Sequence, residues 1–185
     1  RTIGISKSNT DYLKKNVINI NKLLWKLRKI EIFSDNFENK RLLDFKESHG
    51  HIFSIIKNYK FYQLLEHNLS KNKNFNLKYV TNKNLSLIKN YDLVINCDSS
   101  NEITKKYFSK KIVKNYNSKA YTTIILHEKI INDTAVQIFT KNGPLAFLPI
   151  SNTKTSVVYS MPISINQKEN DIKKLIKDKN FKYKI

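Results

Sequence analysis

The chain has 185 residues and a mass of 21.8 kDa, enough for one ordinary domain or two small ones. Hydrophobic residues make up 40% and aromatic residues 11% of it, so the composition excludes a disordered basic tail. No apolar run reaches about 18 residues, so no transmembrane helix is expected. The single cysteine, Cys97, excludes a disulfide framework and a cysteine-built zinc site. Since the sequence opens without an apolar leader, we expect a cytoplasmic location.

The formal charge of +19 is the most unusual global property of the chain. A basic protein of this kind is typical of nucleic-acid binding, but 31 of the 34 basic residues are lysine. Specific recognition of phosphates and bases favours the forked guanidinium of arginine. Asparagine and isoleucine are also enriched, at 24 residues each, and all three amino acids have AT-rich codons. Codon bias is therefore the simpler explanation, and a nucleic-acid partner is the less favoured one.

The first half of the chain is predicted to mix helices and strands. Apolar residues at three- and four-residue steps predict a helix over Asp11–Lys29, with N-cap candidates at residues 8–10. The other elements predicted here are strands at Glu31–Ser34, Arg41–Phe45, His51–Ile56 and Phe75–Val80, and a helix from Asn58 to about Leu69. Tyr91–Cys97 contains three consecutive aliphatic residues, which predicts a strand buried on both faces, as in a parallel sheet. Asp98–Lys111 is polar and is predicted to be a loop with a short helix.

The second half of the chain has the pattern of an antiparallel sheet. Short polar connectors separate four strand-like runs, which predicts a β-meander. The four runs are Tyr121–His127, Ala135–Thr140, Leu145–Pro149 and Ser156–Met161. A short helix is predicted at Ile172–Lys179. From these patterns alone, the chain is interpreted as an α/β (mixed α+β) protein with an attached antiparallel sheet.

A few residues in this pattern could support chemistry. His49 and His51 form an H-x-H pair that can bind a metal from one strand, but no third ligand is apparent, so no metal site is expected. Cys97 is interpreted as a small core residue, because no nearby histidine or helix start would activate it. Asp98 follows the predicted buried strand, where open α/β sheets place ligand contacts. A turn-forming aspartate is the alternative interpretation of Asp98.

The segment Thr134–Met161 is the most distinctive one in the sequence. It reads TAVQIFTKNGPLAFLPISNTKTSVVYSM and resembles the A-x-x-x-F-T-x-x-G-P-L-A-x-L-P-L segment of the FAD-dependent aromatic hydroxylases of ubiquinone biosynthesis, relatives of p-hydroxybenzoate hydroxylase. The matching positions are Ala135, Phe139, Thr140, Gly143, Pro144, Leu145, Ala146, Leu148, Pro149, Ser156 and Val158.

Three weaker resemblances to this family follow one another in the expected order. Arg1–Ser6 resembles its R-x-x-A-L-S segment. His51–Leu65 resembles its G-Y-x-V-E-N-R-x-L-x-x-x-L helix entry and keeps the asparagine as Asn58. Asp92–Ser100 resembles its A-D-L-V-V-G-A-D-G strand and loop and keeps the second aspartate as Asp98. The resemblance therefore extends over nearly the whole chain.

The resemblance implies a fold and a reaction. The family has a Rossmann-like FAD- and NAD(P)-binding domain with an antiparallel substrate-binding sheet laid against it. NAD(P)H reduces the flavin, and O2 is then used to hydroxylate a phenolic ring. By this resemblance, residues 1–30 and 51–115 would form a partial FAD-binding domain and residues 31–50 and 116–165 the substrate-side sheet. Residues 166–185 would form a short helix and tail.

The resemblance also implies site residues, position by position. Arg1 matches an arginine beside the flavin, Asn58 a polar residue facing the cofactor at a helix start, and Asp98 an aspartate that contacts the cofactor and helps with NAD(P)H. The residues that would line the substrate pocket are Phe139, Gly143, Pro144, Leu145, Ala146 and Phe147. Packing within the sheet is the simpler role for Leu145 and Leu148. No residue is assigned to the chemical step.

The resemblance predicts partners and leaves alternatives open. A polyprenylated phenol would be the substrate with O2, other proteins of ubiquinone biosynthesis would be partners, and contact with the inner membrane would be peripheral. The family's G-x-G-x-x-G and G-D motifs would lie before Arg1 and after Ile185, so the chain is expected to be an internal fragment and inactive alone. Ser99 and Glu102 depart from the family pattern, and a hairpin expected before Asp92 is missing. These departures motivate a non-catalytic scaffold as the alternative, with a basic nucleic-acid-binding domain as the third.

Overall fold

The computed structural model describes residues 1–35, 40–78, 89–108, 110 and 112–184. The described residues form a mixed α+β structure, which confirms the predicted fold class. Two compact units are distinguished, residues 1–68 with 117–185 and residues 69–116. The β-strands are β1 (Thr2–Ser6), β2 (Trp25–Leu27), β3 (Lys29–Ser34), β4 (Arg41–Lys46), β5 (Phe53–Lys57), β6 (Ser118–Leu126), β7 (Thr134–Thr140), β8 (Gly143–Ser151) and β9 (Lys154–Pro162). The α-helices are α1 (Lys7–Asn16), α2 (Asn58–Leu69), α3 (Glu102–Tyr107) and α4 (Glu169–Asp178).

The first unit contains two sheets. A three-stranded antiparallel sheet has the order β1-β5-β2, and a six-stranded sheet has the order β4-β3-β7-β8-β9-β6. The strands β7, β8 and β9 form the predicted meander. The fourth predicted member, β6, pairs with β9 instead of β7, and β3 joins β7 in a parallel pair. The meander prediction was therefore wrong about the position of β6 in the sheet, because alternation along a strand does not specify which strand pairs with it.

The predicted helix over Asp11–Lys29 was wrong in both of its bounds. The helix α1 begins after Ser6, whose Oγ accepts a hydrogen bond from the backbone N–H of Asn9. It ends at Asn16, and a 3-10 turn and β2 follow. Of the apolar residues that suggested one long helix, Leu13 and Leu24 pack against a small core around the fully buried Ile20, whereas Val17 is 59% exposed.

Most of the other predicted elements of the first half, and α4, are observed, but two predicted strands are not. The strands β3, β4 and β5, the helices α2 and α4, and the short helix α3 are confirmed within a few residues. Residues 91–97 form no strand, and Leu93 and Ile95 are 75% and 78% exposed, so the predicted buried parallel strand was wrong. A strand was also predicted at Phe75–Val80. Residues 75–78 belong to no β-strand, and residues 79 and 80 lie outside the described residues.

The main core lies between one face of the six-stranded sheet and α4. Its most buried members are Leu145, Tyr159, Met161, Val157 and Ile138, each at most 1% exposed. The helix contributes Ile172 and Ile176 to the same core, and the residues after it contribute Tyr183. A second core lies between the two sheets and includes Leu27, Ile55, Ala135 and Ile150. The two faces of the central strands β7, β8 and β9 are therefore covered by different elements, whereas the edge strand β4 is exposed.

Candidate functional site

Two large cavities lined by described residues lie between the two sheets, and together we call them the inter-sheet cleft. The first, the basic cavity, has a volume of about 500 Å³ and is lined by Arg1, Lys57, Lys154, Ile124, Leu126 and Val158 among others. The second, the apolar cavity, also has a volume of about 500 Å³ and is lined by Gly4, Phe53, Ile55, Ala146, Leu148 and Val158 among others. The two cavities share Val158. Both volumes lie in the range of small-molecule sites.

The strand pairing explains why one end of the cleft is charged and the other is apolar. Successive residues of a strand point to opposite faces, so every second residue of β5 faces the cleft. On β5 these residues are Lys57, Ile55 and Phe53, in order from the basic cavity to the apolar one. Thr2 and Gly4 are their counterparts on β1, where Thr2 pairs with Lys57. The change from charged to apolar therefore follows the strand direction.

Gly4 lines the apolar cavity at a position where a side chain would not fit. A Cβ atom at this position would lie 2.2 Å from Cζ of Phe53, so the aromatic ring occupies the space that any other residue would fill. The ring of Phe53 also packs against the core between the sheets. The missing side chain at Gly4 therefore allows an aromatic wall on one side of the cavity.

The structure brings two of the predicted cofactor residues together. The backbone carbonyl of Arg1 accepts a hydrogen bond of 3.1 Å from the backbone N–H of Asn58, because β1 and β5 are antiparallel neighbours. Asn58 is the first residue of α2, where backbone N–H groups have no partner within the helix. Arg1 lines the basic cavity, and both residues are exposed. Fifty-six residues of sequence separate these two, yet they are adjacent at one end of the cleft.

Asp98, the third predicted cofactor residue, belongs to the second unit. Its carboxylate accepts hydrogen bonds from the hydroxyl and the backbone N–H of Ser100, at 2.7 and 2.8 Å. These hydrogen bonds, the one from the Ser100 side chain first, hold the pKa of Asp98 below its ordinary value. The side chain of Asn96 donates to the Asp98 carbonyl at 3.2 Å, which further orders this loop. Asp98 is therefore a fixed anion at neutral pH.

The six residues predicted for the substrate pocket divide between the two faces of the sheet. Ala146 lines the apolar cavity. Leu145 and Phe147 point to the other face and are 0% and 2% exposed in the core against α4. Phe139 pairs with Pro144 at the exposed end of β7 and β8.

Gly143, the sixth of these residues, has a structural reason to be glycine. Its φ of +138° is a backbone conformation that residues with a side chain rarely adopt. A Cβ atom here would also lie 2.1 Å from the backbone oxygen of Ser160 on the neighbouring strand. Gly143 therefore allows β8 to begin in close contact with β9, and this sets which residues of β8 face the cleft.

The sequence patterns did not identify several residues of the cleft. Lys154 and Ile124 line the basic cavity, but a lysine is not distinctive in a chain with 31 of them. The alternation of Thr122, Ile124 and Leu126 along β6 was the available signal, because it places these three on one face. Knowing that this face meets a second sheet required the tertiary structure.

His49 and His51, the H-x-H pair, lie at the end of the loop before β5. Among the described residues, no group of three or more His, Cys, Asp and Glu side chains could hold a metal ion. Burial, followed by the charges of Lys26 and Lys7, lowers the pKa of His51. The backbone N–H of His49 donates to the Glu47 carboxylate at 3.2 Å, as expected for a polar loop residue.

Comparison with known proteins gives one match of moderate similarity among curated sequences. The chain is 36% identical over 70 residues to the mitochondrial ubiquinone biosynthesis monooxygenase COQ6 of Danio rerio. This match covers 37% of the chain and 14% of that protein, so it spans about one-seventh of the relative's length. No protein-family profile matches the chain.

Among solved structures, the chain is similar to the tetracycline destructase Tet(51). The TM-score is 0.45 and the sequence identity is 13%. The alignment covers 99% of this chain and 53% of that one. Within the described residues, no helix is long and apolar enough to cross a membrane.

Proposed function

We propose that this chain provides the ring-binding cleft of an FAD-dependent monooxygenase that hydroxylates a polyprenylated phenol of ubiquinone biosynthesis, with NAD(P)H and O2. The observation that supports this most is the inter-sheet cleft, which has apolar walls and the Arg1–Asn58 pair at one end. The similarity to COQ6, a monooxygenase of ubiquinone biosynthesis, supports the same reaction class. The proposal concerns the protein to which this chain contributes.

The residues present fit the ring end of FAD. A cavity of about 500 Å³ with apolar walls suits a flat aromatic ring system. The Arg1 guanidinium is a donor, and the positive end of the helix dipole lies at the start of α2, which together suit the electron-rich edge of such a ring. The sequence holds three glycines, at positions 4, 50 and 143, and none lies in a glycine-rich turn between a strand and a helix. The pyrophosphate of FAD is therefore not assigned to any residue here.

Each part of the cleft would have a separate task. Bound FAD would supply the redox chemistry that activates O2. Arg1 and Asn58 would hold and orient the ring end of the cofactor. Ala146, Leu148 and Val158 would hold the apolar body of the phenol and keep water out of the cleft. Asp98 belongs to the second unit and is not among the residues that line the cleft; from the resemblance alone it is proposed to contact FAD and to help with NAD(P)H.

The net charge of the chain bears on where such an enzyme would work. A charge of +19 favours contact with membranes that contain acidic lipids, so a peripheral association is proposed. A cytoplasmic location at the inner membrane and association with other proteins of ubiquinone biosynthesis belong to the same proposal.

The experiment is a flavin titration followed by an activity assay of the full gene product. FAD binding is measured by quenching of flavin fluorescence, and turnover by NAD(P)H oxidation with a short-chain prenylated phenol. With isotopically labelled O2, one labelled oxygen atom is expected in the product. Asn58→Ala is expected to weaken FAD binding about tenfold, as the loss of one polar contact to a charged or electron-rich group implies. The matched control is Lys141→Gln, in the exposed turn before β8.

The result distinguishes an enzyme from a non-catalytic descendant. Product that contains labelled oxygen supports the monooxygenase. A folded gene product that binds no FAD, or binds it without oxidising NAD(P)H, would leave the scaffold function as the better account. Equal FAD affinities for Asn58→Ala and Lys141→Gln would remove Asn58 from the proposed site.

A further inference from the structure

The basic cavity combines three positive side chains with no negative one. Arg1, Lys57 and Lys154 line it, and none of its lining residues is Asp or Glu. Within the part of the chain that the structure describes, none of these three side chains forms an ion pair. Three like charges converging on one cavity repel each other, and a bound anion would relieve this repulsion. The cavity is therefore complementary to an anionic group.

Neutral hydroxyl groups lie at the same end of the cleft. The Thr2 hydroxyl donates to the Ser156 hydroxyl at 3.5 Å, across the gap between the two sheets. Both residues line the basic cavity. Since 3.5 Å is a long distance for such a bond, either hydroxyl can turn toward a better acceptor. These groups add donors for the oxygen atoms of a carboxylate or a phosphate.

The neighbouring apolar cavity has no charged lining residue. Gln137 is the one amide side chain in it, among walls such as Phe53, Ile55 and Leu148. The cleft-facing residues of β5 run from Lys57 to Phe53, four residues apart, which is a distance of roughly 13 Å along a strand. The cleft is thus charged at one end and apolar over about that length.

We propose that the inter-sheet cleft binds an amphiphilic anion, a molecule with a carboxylate or phosphate head and an elongated apolar body. The head lies among Arg1, Lys57 and Lys154. The body passes Val158, which the two cavities share, and ends between Phe53 and Leu148. The opposite orientation would bury the charge among apolar side chains, at a large desolvation cost. This inference does not rest on the proposed function, because groups of this chain alone hold the ligand.

The test on the unmodified protein uses ligands that differ in one property at a time. Dodecanoate, dodecyl phosphate, the methyl ester of dodecanoate and butanoate are titrated below their aggregation limits by calorimetry, at low and at physiological salt. The ester is expected to bind about tenfold weaker than the acid, because it loses the charge-assisted contacts. Butanoate is expected to bind at least tenfold weaker than dodecanoate, because it lacks most of the apolar body. The ratio of acid to phosphate affinity identifies which head group is preferred.

Two lysine variants locate the head group. Lys154→Gln is expected to weaken dodecanoate about tenfold and to leave the affinity of the methyl ester unchanged. Lys174→Gln, on the exposed side of α4, removes the same charge away from the cleft and is the matched control. Dodecanoate is titrated without FAD, because the proposed function places the ring end of FAD in the same basic cavity. Saturable binding that depends on Lys154 in a gene product that binds no FAD would support this inference and count against the proposed function.

Three outcomes would overturn the proposal. The first is equal affinity for the acid and its methyl ester. The second is equal weakening by Lys154→Gln and Lys174→Gln, which would indicate a general effect of charge. The third is no saturable binding of dodecanoate or dodecyl phosphate at low salt. Thermal unfolding of both variants checks that they are folded.

Discussion

The two faces of the six-stranded sheet are built from alternate residues of the same strands, yet they differ in how well they are filled. On β8, Leu145 and Phe147 are 0% and 2% exposed against α4, whereas Ala146 and Leu148 face the cleft and stay partly exposed. Among the described residues, the cavity beside Phe147 and Tyr183 on the face toward α4 has almost no internal volume, while the face toward the three-stranded sheet has two cavities of about 500 Å³. One strand therefore supplies stability on one side and binding space on the other.

The difference follows from what covers each face. The helix α4 and the residues after it bring large side chains, including Ile172, Ile176 and Tyr183, directly onto the sheet. The opposite face is covered by three short strands, one of which carries Gly4 where a side chain would enter the cleft. Small residues on both sides, Gly4 and Ala146, thus leave the space between the sheets open.

The sharpest test of this contrast compares two leucines of β8 that face opposite ways. Leu145→Ala removes a fully buried side chain and is expected to lower the free energy of unfolding by about 4 kcal/mol. Leu148→Ala, on the cleft side, is expected to cost about 1 kcal/mol because its side chain is only partly buried. Urea unfolding followed by circular dichroism measures both. Equal losses would contradict the assignment of the two faces.

The register that separates the two faces depends on Gly143. Gly143→Ala is expected to lower the free energy of unfolding by about 3 kcal/mol, because its φ of +138° is strained for alanine and the new Cβ would meet the Ser160 oxygen. Gly50→Ala is the matched control, since a Cβ there meets no atom closer than 3.7 Å, and a change within about 0.5 kcal/mol is expected. The same urea experiment applies. A neutral Gly143→Ala variant would mean that β8 can start in another way.

The smallest effect is expected for Tyr183, whose side chain lies in the core between the six-stranded sheet and α4. The hydroxyl of Tyr183 donates to Asn132 Oδ1 at 3.1 Å, in a buried group with His127 and Thr155. Tyr183→Phe removes this bond and is expected to cost about 1 kcal/mol at neutral pH, as measured by urea unfolding.

The pH dependence of stability tests the same tyrosine. Burial, only partly offset by a hydrogen bond with Thr155, raises the pKa of Tyr183 from 10.0 to about 12. Its contribution is therefore complete below pH 10 and is lost as the pH rises toward 12, because only the neutral hydroxyl is favoured in the folded state. The phenylalanine variant is expected to lose less stability than the unmodified protein between pH 10 and 12. Parallel losses in the two proteins would indicate that other groups dominate.

Local patterns predicted the elements whose cause is local. The meander strands β7 to β9 follow from alternation and from the turn that precedes Gly143, and α2 begins at Asn58 as expected. The segment Tyr91–Cys97 failed because an apolar run predicts burial only where partner strands exist, and among the described residues none pairs with it. For the candidate site, the resemblance named Arg1, which lines the basic cavity, but no pattern in the sequence named Lys154, which lines it as well.

The sequence by itself determined the fold class, the three-stranded meander β7 to β9 and the start of α2, because alternation, turns and helix starts depend on residues close together in the chain. Only the tertiary structure decided that β6 joins β9, that β3 runs parallel to β7, and that Leu145 and Ala146 serve opposite faces. It also decided that Arg1, Lys57 and Lys154 share one cavity. Pairings between distant strands depend on which faces must be buried together, and periodicity along one strand does not contain that information.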